Sequence, residues 1–175
     1  MSQLEFETIE KESFLAASIK KTVSTIQLGK VMGPSYFKIK EFLKSNDAVN
    51  NENNTPFCIY RNVSYDNLDK SGIISTFKMM FLEKWEIEMG IPLSKEKSEI
   101  SPGEEIEITD FPKGKYIKTI HMGPYREIRQ TYKQIKQYAE AQNLTLGSTS
   151  IETYFNDPGS VPENELKTEV LVAIK

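Results

Sequence analysis

The sequence contains only one cysteine, Cys58, and only one histidine, His121, among 175 residues. A single cysteine excludes an internal disulfide, and it also excludes a metal site built from several cysteines. We therefore expect no metal and no cofactor, and we expect the chain to work in a reducing cytoplasm. His121 stands just before a predicted helix, where we expect it to have a structural role.

Long apolar runs and an excess of positive charge are absent as well. No apolar segment approaches the roughly 20 residues that cross a bilayer, and residues 1–5 lack the basic and apolar regions of a signal peptide. The formal net charge is −3, whereas recognition of nucleic-acid phosphates needs a concentrated basic surface. We therefore expect neither membrane association nor nucleic-acid binding by the chain alone.

The residues that are present predict a single α+β domain over residues 1–175. Hydrophobic residues make up 38% of the chain and charged residues 27%, as in ordinary globular proteins. Alternating side chains predict strands within residues 4–24, and the apolar segment 73–87 favours another strand. Gly33-Pro34 predicts that a helix starts or restarts there, because proline is tolerated in the first helical turn but not in the interior.

An internal echo relates the two halves of the chain. Residues 32–36 (MGPSY) resemble residues 122–125 (MGPY), and residues 60–62 (YRN) resemble residues 154–156 (YFN). The order strand, strand, helix, strand, strand is predicted twice, in pseudo-repeats of about 1–90 and 103–175. Two such units predict a mostly antiparallel sheet with one helix on each half and a ligand groove between the halves.

The second predicted helix has the clearest amphipathic pattern. Apolar and aromatic side chains recur at spacings of three and four, at Tyr125, Ile128, Tyr132, Ile135 and Ala139. In the strand that follows, alternation separates Ile151, Thr153 and Phe155 from Glu152 and Tyr154. We expect the first set to pack against the helix and the second set to face the groove on the opposite side.

The same alternation places further residues in the predicted groove. Glu169 in the last strand is expected on the face of Glu152, and the repeat gives Cys58 the slot of Glu152. The repeat also gives Tyr60 the slot of Tyr154, and Tyr36 and Tyr125 occupy related positions after the two Gly-Pro pairs. Trp85 fits either a groove wall or the core.

Four motifs resemble the GyrI-like (gyrase-inhibitor-like) effector-binding domain, which belongs to a wider superfamily that includes the SOUL proteins and the ligand-sensing domains of AraC-type and MerR-type regulators. They are residues 111–116 (FPKGKY), 121–125 (HMGPY), 151–158 (IETYFNDP) and 166–170 (LKTEV). The resemblance implies a duplicated βαββ fold with a cleft at the pseudo-two-fold axis. It also implies a buried cleft glutamate at Glu152 and aromatic or apolar cleft positions at Val31, Tyr36 and Tyr154. The chain departs from the regulators in showing no DNA-binding domain.

Three functional hypotheses follow for the bacterial, cytoplasmic protein that the resemblance implies. The first is a small-molecule-binding protein with an aromatic groove, in which Glu152 anchors a lipophilic and cationic, drug-like ligand. The second is a hydrolase of strained electrophilic natural products, with Glu152 as general base and Tyr60 or Tyr154 orienting a water. The third is an inhibitor or sequestering partner of another protein. The sequence leaves the oligomeric state open.

Overall fold

One antiparallel sheet forms the centre of the computed structural model, which describes residues 4–49, 54–65, 68, 84–93 and 100–175. Its eight strands lie in the order β1-β6-β8-β7-β3-β4-β2-β5, and all neighbouring strands pair in antiparallel fashion. In chain order they are β1 (Glu7–Lys11), β2 (Phe14–Ser24), β3 (Phe57–Tyr60), β4 (Lys84–Pro92), β5 (Glu107–Phe111), β6 (Gly114–Met122), β7 (Leu146–Tyr154) and β8 (Lys167–Ile174).

Two α-helices pack on this sheet within the described residues, α1 (Thr25–Ser45) and α2 (Ile128–Ala141). The predicted α+β class with a largely antiparallel sheet is therefore confirmed. Within the described ranges the order strand, strand, helix, strand, strand occurs twice, while the pseudo-repeat limits at 1–90 and 103–175 stay a prediction. Neither helix is long and apolar enough to cross a membrane, a finding that covers the described ranges only.

Helix α1 begins earlier than the sequence predicted. Ser24 and Gln27 form a capping box at its start, and Pro34 lies inside the helix. The prediction of a helix start at Gly33-Pro34 is wrong, because the box satisfies the backbone N–H groups of Ser24 and Gln27, so that the helix starts at Thr25 and continues through the proline. Of the strand predicted over 73–87, the part from Lys84 onward is strand β4, and residues 73–83 lie outside the described residues.

Both faces of the sheet contain buried apolar residues, and the two helices of the described residues lie on the same face. Under α1 the core contains residues of β2 and β4 such as Ile19, Ile87 and Met89, and under α2 it contains Val170 and Val172. The opposite face has its own apolar cluster, formed by Ala16, Phe57, Ile59, Phe111, Ile151 and Leu171. In central strands such as β3 and β7, where neighbouring residues on both faces are buried, hydrophobic alternation therefore does not mark a solvent-facing side.

An ion pair with a buried carboxylate lies on the face opposite the two described helices. Glu88 of β4 is 0% exposed, and its two oxygens accept hydrogen bonds from Ser18 Oγ at 2.8 Å and from Arg61. The Arg61 guanidinium is partly exposed and forms a salt bridge with this carboxylate. Glu88 is thus a buried carboxylate whose charge is neutralised within the protein.

Candidate functional site

Strand β7 places the Glu152 side chain on the face of the sheet that carries the two described helices. The Tyr132 hydroxyl of α2 contacts the Glu152 carboxylate, whereas Ile151 belongs to the apolar cluster on the other face. The prediction that Ile151 packs against the helix and Glu152 points away from it is therefore wrong. Alternation correctly separates the two sets of side chains, but it does not say which set meets the helix when both faces are buried.

The cross-strand register decides which neighbours share this face with Glu152. Glu152 lies opposite Cys58 of β3 and Val170 of β8. Directly opposed residues point to the same side of a sheet, so Val170 shares the Glu152 face and Glu169 lies on the other one. The prediction that grouped Glu169 with Glu152 is wrong, and the Glu169 carboxylate instead lies 3.9 Å from the Lys118 ammonium group.

Three tyrosine hydroxyls surround the Glu152 carboxylate. Tyr132 donates to Oε1 at 2.8 Å, Tyr154 donates to Oε2 at 2.9 Å, and Tyr60 approaches Oε2 at 3.5 Å. The Tyr132 oxygen also lies 3.0 Å from Ser150 Oγ. Since a phenol has one proton, Tyr132 uses it on the carboxylate and accepts from Ser150.

Burial governs the acid–base properties of this cluster. Glu152 is only 6% exposed, and this desolvation raises the pKa of its carboxyl above the ordinary value, while the three hydroxyl donors act in the opposite direction. Burial, reinforced by the nearby Glu152 charge, raises the pKa of Tyr60, Tyr132 and Tyr154 well above 10. The tyrosines therefore stay protonated as donors while Glu152 is the group that titrates.

A large cavity opens above the carboxylate, between the two helices and over the middle of the sheet. Its volume is about 1020 Å³, within the size range of pockets for drug-sized ligands. Glu152 lies on the cavity wall together with six aromatic side chains and several apolar ones. The six aromatic wall residues are Tyr36, Tyr60, Trp85, Tyr125, Tyr132 and Tyr154. Two exposed phenylalanines, Phe37 and Phe155, also line the cavity.

The aromatic rings on the cavity wall are held against each other and against the protein frame. The Tyr154 ring has edge contacts with Tyr36 and Tyr125, with ring centroids 6.3 and 5.6 Å apart. Tyr60 meets Trp85 edge to face at 6.0 Å, and Trp85 Nε1 donates to Thr25 Oγ1 at 2.9 Å. Tyr36 donates its hydroxyl to the Phe57 carbonyl at 2.8 Å. These contacts fix the orientation of the cavity walls.

Most of the predicted site residues converge on this cavity. Those that line it are Tyr36, Tyr60, Trp85, Tyr125, Glu152 and Tyr154. Val31 of α1 packs against the core cluster between α1 and the sheet, and it is not on the cavity wall. Glu169 is not on the cavity wall either, because it lies on the other face of the sheet near Lys118. His121 also lies off the wall, since its ring contacts Thr131 Oγ1 at 2.8 Å and the Pro124 carbonyl at 3.2 Å.

Tyr132 and Ser150 are site residues that the sequence reasoning missed. The helical pattern predicts Tyr132 on the inward face of α2 as a packing residue. Its hydroxyl was the available signal, because a buried tyrosine needs a hydrogen-bond partner and the next strand carries an acid. Ser150 lies two residues before Glu152 on the same strand and so shares its face.

Two glycines of α1, Gly29 and Gly33, widen the cavity on the side of Trp85. Both are part of the cavity wall, and among the described residues no heavy atom lies within 4 Å of a Cβ built on either one. Neither has a positive φ, so close packing and backbone conformation do not require glycine there. Each costs about 0.8–1.0 kcal/mol of helix stability relative to alanine. What they provide is open space beside the aromatic wall.

The donor set of the cavity suits an organic ligand. Within the described ranges, no group of three or more His, Cys, Asp or Glu side chains is arranged to hold a metal ion. The Glu152 carboxylate combines with aromatic faces, which attract cations. The arrangement can bind a flat or bulky apolar cation, and it can also hold a carboxylate general base next to hydroxyl donors.

The sequence profile of one protein family matches almost the whole chain. The match covers residues 4–175, and the family is described as the GyrI-like small molecule binding domain. Comparison with curated proteins gave no match.

Solved structures with the same fold include domains of very different description. The C-terminal domain of EcmrR has a TM-score of 0.75 at 18% identity, with 99% of each chain covered. The chain spans only 57% of EcmrR in its complex with DNA. A hydrolase encoded by lin2189 from Listeria innocua has a TM-score of 0.70 at 11% identity, covering 98% of this chain and 92% of that one. SAV2435 bound to tetraphenylphosphonium has a TM-score of 0.54 at 13% identity, covering 98% and 94%. At these identities the similarity shows the fold.

Proposed function

The chain belongs to the family of GyrI-like small molecule binding domains, and from that basis we propose that it binds lipophilic cations in the cavity beside Glu152. The ligand is held by aromatic side chains, and the Glu152 carboxylate selects positive charge. The protein thus acts as a small-molecule-binding protein, and the cytoplasm, as expected for a chain with a single cysteine, is its proposed compartment.

The observation that carries this proposal is a buried carboxylate without a cationic partner. Among the described residues, Glu152 has polar contacts with the three tyrosine hydroxyls and with no Lys or Arg side chain. Glu88 provides the contrast, since its equally buried carboxylate is neutralised by Arg61. A buried charge is costly unless it is paired, so a cation that enters the cavity would supply the partner that Glu152 lacks.

The cavity walls add attraction for the apolar part of such a ligand. Tyr36, Tyr60, Trp85, Tyr125 and Tyr154 present ring surface to the space above Glu152. A cation over an aromatic face gains about 0.5–2 kcal/mol, depending on how far it is desolvated. Apolar burial contributes roughly 25 cal/mol per Å². Both terms favour large cations with delocalised or shielded charge.

Titration with a lipophilic cationic dye tests the proposal directly. We expect rhodamine 6G to bind the wild-type protein with saturable fluorescence polarisation, and an anionic dye of similar size, fluorescein, to bind far more weakly. Competition by tetraphenylphosphonium should release the cationic dye. If neither rhodamine 6G nor tetraphenylphosphonium binds at micromolar protein concentrations, the proposal is wrong.

The affinity for cations should depend on pH through Glu152. Its pKa in the folded protein lies above the ordinary value of 4.5, so the carboxyl is neutral at the acidic end and becomes charged as the pH rises through the raised pKa. The neighbouring Tyr36, Tyr60, Tyr132, Tyr154 and Cys58 stay protonated over this range, because burial raises the pKa of each of them as well. Tetraphenylphosphonium affinity should therefore rise with pH in wild type.

The matched measurement is the same pH series with Glu152→Gln, whose side chain does not titrate. Its affinity should be lower and flat with pH. The contribution of Glu152 to the free energy of unfolding changes with pH in the opposite direction. Because the raised pKa favours the neutral acid in the folded state, this stabilising contribution is present below pH 4.5 and is lost as the pH rises through the folded pKa. An affinity for tetraphenylphosphonium that is independent of pH in the wild type would argue against Glu152 as the anchor.

A larger side chain at Gly29 should raise the stability of the protein and weaken its affinity for the ligand. In Gly29→Leu the better helix former should raise the free energy of unfolding by about 0.5–1 kcal/mol. The added side chain occupies empty space on the cavity wall, so a bulky ligand would have to shift or clash with it, and binding of tetraphenylphosphonium should weaken by about 1–3 kcal/mol. Lys30→Leu is the control, because Lys30 is exposed on the same helix and is not on the cavity wall. Thermal melting and calorimetric titration report the two quantities, and an unchanged affinity in Gly29→Leu would place the ligand elsewhere.

Hydrolysis of a strained electrophile is the second candidate function, and the geometry of Glu152 favours it. A carboxyl whose pKa is raised by burial is a better general base near neutral pH, and the Tyr60 and Tyr154 hydroxyls lie close enough to orient a water or a leaving oxygen. A panel of reactive cyclopropane and epoxide compounds, followed by mass spectrometry, tests this activity. Turnover that disappears in Glu152→Gln would support it, and unchanged compounds alongside tight reversible binding of cations would exclude it.

A further inference from the structure

The cavity separates its charges by depth. Glu152 lies at the bottom and is 6% exposed, whereas three bases of the wall, Lys40, Lys44 and Arg126, lie at the mouth. All three are exposed, and the side chains of Lys44 and Arg126 are 67% and 66% exposed. No lysine or arginine contributes to the shift in the pKa of Glu152, so the bases at the mouth do not neutralise the acid below. The whole chain has a net charge of −3, so these bases are a local feature.

The acids around the mouth leave these bases accessible to a ligand. Lys44 pairs with Glu41 at 2.9 Å and Arg126 pairs with Glu163, and at least half of each of these side chains is exposed. Exposed pairs of this kind contribute little free energy, so an anionic group of a ligand can replace the acid of a pair at small cost. Lys40 takes part in no salt bridge within the described residues.

Two further charged side chains, Arg129 and Asp157, complete the cavity wall within the described residues. Arg129 is half-buried, and its Nη2 donates to the Leu68 carbonyl at 3.0 Å. Asp157 is exposed, and its Oδ1 accepts a hydrogen bond from the Gly159 N–H at 2.7 Å. The described wall therefore carries four bases and two acids, and one of the two acids is Glu152 at the bottom.

This arrangement favours a ligand that carries charges of both signs. A ligand with positive charge alone meets charges of its own sign at the mouth before it reaches Glu152, whereas an anionic group on the same ligand would be attracted there. Phe37 and Phe155 are exposed at this mouth. A ligand that covers them removes water from around the bases, which strengthens the attraction between opposite charges.

We propose that the mouth of the cavity is a second binding subsite, in which Lys40 and Lys44 bind an anionic group of the ligand. The ligands preferred by this protein are then amphoteric lipophilic molecules, with the positive group beside Glu152 and a carboxylate at the mouth. The inference rests on the proposed function for the positive end of the ligand. The subsite at the mouth is the new element, and it makes the favoured ligand a zwitterion and not a simple cation.

The test compares carboxyalkyl-triphenylphosphonium ions with their methyl esters by calorimetric titration near neutral pH. The acid is a zwitterion there, because its carboxyl group is ionised, and the ester is a cation of nearly the same shape. Alkyl chains of increasing length are compared, since the carboxylate must reach from the bottom of the cavity to its mouth. For the best chain length we expect the wild-type protein to bind the acid at least about threefold more tightly than the ester. This advantage should shrink as the salt concentration rises, because salt screens exposed charges.

The decisive variant is Lys40→Gln/Lys44→Gln, in which the acid and its ester should bind with about equal affinity. Lys30→Gln/Lys38→Gln is the matched control, because it removes two exposed positive charges from the same helix at positions that are not on the cavity wall. The control should keep the wild-type preference for the acid. The comparison therefore separates a local subsite from the change in net charge, which is the same in both variants.

Two results would overturn the inference. One is a wild-type protein that binds the ester as tightly as the acid at every chain length, and the other is a preference for the acid that is the same in Lys40→Gln/Lys44→Gln as in the control. Both results leave the proposed function intact, since the cationic esters still bind. Failure of the acids, the esters and tetraphenylphosphonium to bind would remove the proposed function and this inference together.

Discussion

Replacing Glu152 by glutamine is expected to reduce the affinity for tetraphenylphosphonium by about 30- to 1,000-fold, which corresponds to about 2–4 kcal/mol. The substitution keeps the side-chain volume and removes the charge that faces the cavity. A cation in this cavity would then lie in an apolar environment without a counter-charge. Isothermal titration calorimetry at neutral pH measures the difference directly.

Glu169→Gln is the control for this substitution. It removes a glutamate charge from the neighbouring strand, but Glu169 lies on the other face of the sheet, close to Lys118. We expect its affinity for tetraphenylphosphonium to equal that of wild type. A Glu152→Gln protein that melts cooperatively and still binds the cation with wild-type affinity would contradict the assignment of Glu152 as the anchor.

Removing the partner of the other buried glutamate should have the largest effect on stability. In Arg61→Leu the Glu88 carboxylate keeps Ser18 as a donor and loses its ion pair, so we expect the free energy of unfolding to fall by about 2–4 kcal/mol. Part of the arginine is solvent-exposed, which lets water compensate for some of the lost attraction. Urea denaturation followed by circular dichroism reports the change.

The control for the Arg61 substitution is an ion pair of the same kind at the surface. Arg126 pairs with Glu163 where both side chains are about two-thirds exposed, and such pairs contribute about 0–1 kcal/mol. Arg126→Leu should therefore change the free energy of unfolding by less than about 1 kcal/mol. Equal destabilisation by the two substitutions would mean that the burial of Glu88 does not matter to the folded state.

The two buried glutamates lie on opposite faces of one sheet and differ in whether they have a counter-charge. Glu88 lies on the face opposite the two described helices and has Arg61 as its counter-charge. Glu152 lies under the cavity and has tyrosine hydroxyls in place of a counter-charge. A natural sequence keeps such an unneutralised buried charge when function requires it, and here the function proposed is capture of a cation.

Much of the fold could be predicted from the sequence because its signals are local and repeated. The alternating segments, the amphipathic pattern of α2 and the duplicated Gly-Pro motifs each predict an element type, and their order predicts the α+β class. Tyr60 and Tyr154 could be grouped as site candidates because the repeat aligns them, and Glu152 could be added because strand alternation places it with Tyr154 and the family resemblance implies a cleft glutamate there. These are the parts of the structure that depend on short stretches of chain.

The orientation of the site could not be predicted, since it depends on contacts between distant segments. Alternation in β7 separates Ile151 from Glu152, but both faces of this sheet are apolar, so the pattern does not identify the face under the helices. The error for Glu169 has a similar cause, because its face depends on the register that pairs Glu152 with Val170. The role of Tyr132 follows from the same tertiary contact between α2 and β7.

The start of α1 shows two local rules in competition. Gly33-Pro34 predicts a boundary, whereas the capping box of Ser24 and Gln27 predicts a start at Thr25. The box prevails because it satisfies backbone donors at the first turn, and the packing of Ile39 and Leu43 on the sheet holds the helix together beyond the proline.

The most direct test of the central claim compares two ligands that differ in charge and hardly in shape. Methyltriphenylphosphonium is a cation, and triphenylphosphine oxide is a neutral molecule with the same three rings. Calorimetric titration should show that wild type binds the cation at least about tenfold more tightly, and that Glu152→Gln binds the two ligands alike. Equal affinity of the wild-type protein for both ligands would contradict the claim that the Glu152 charge governs binding.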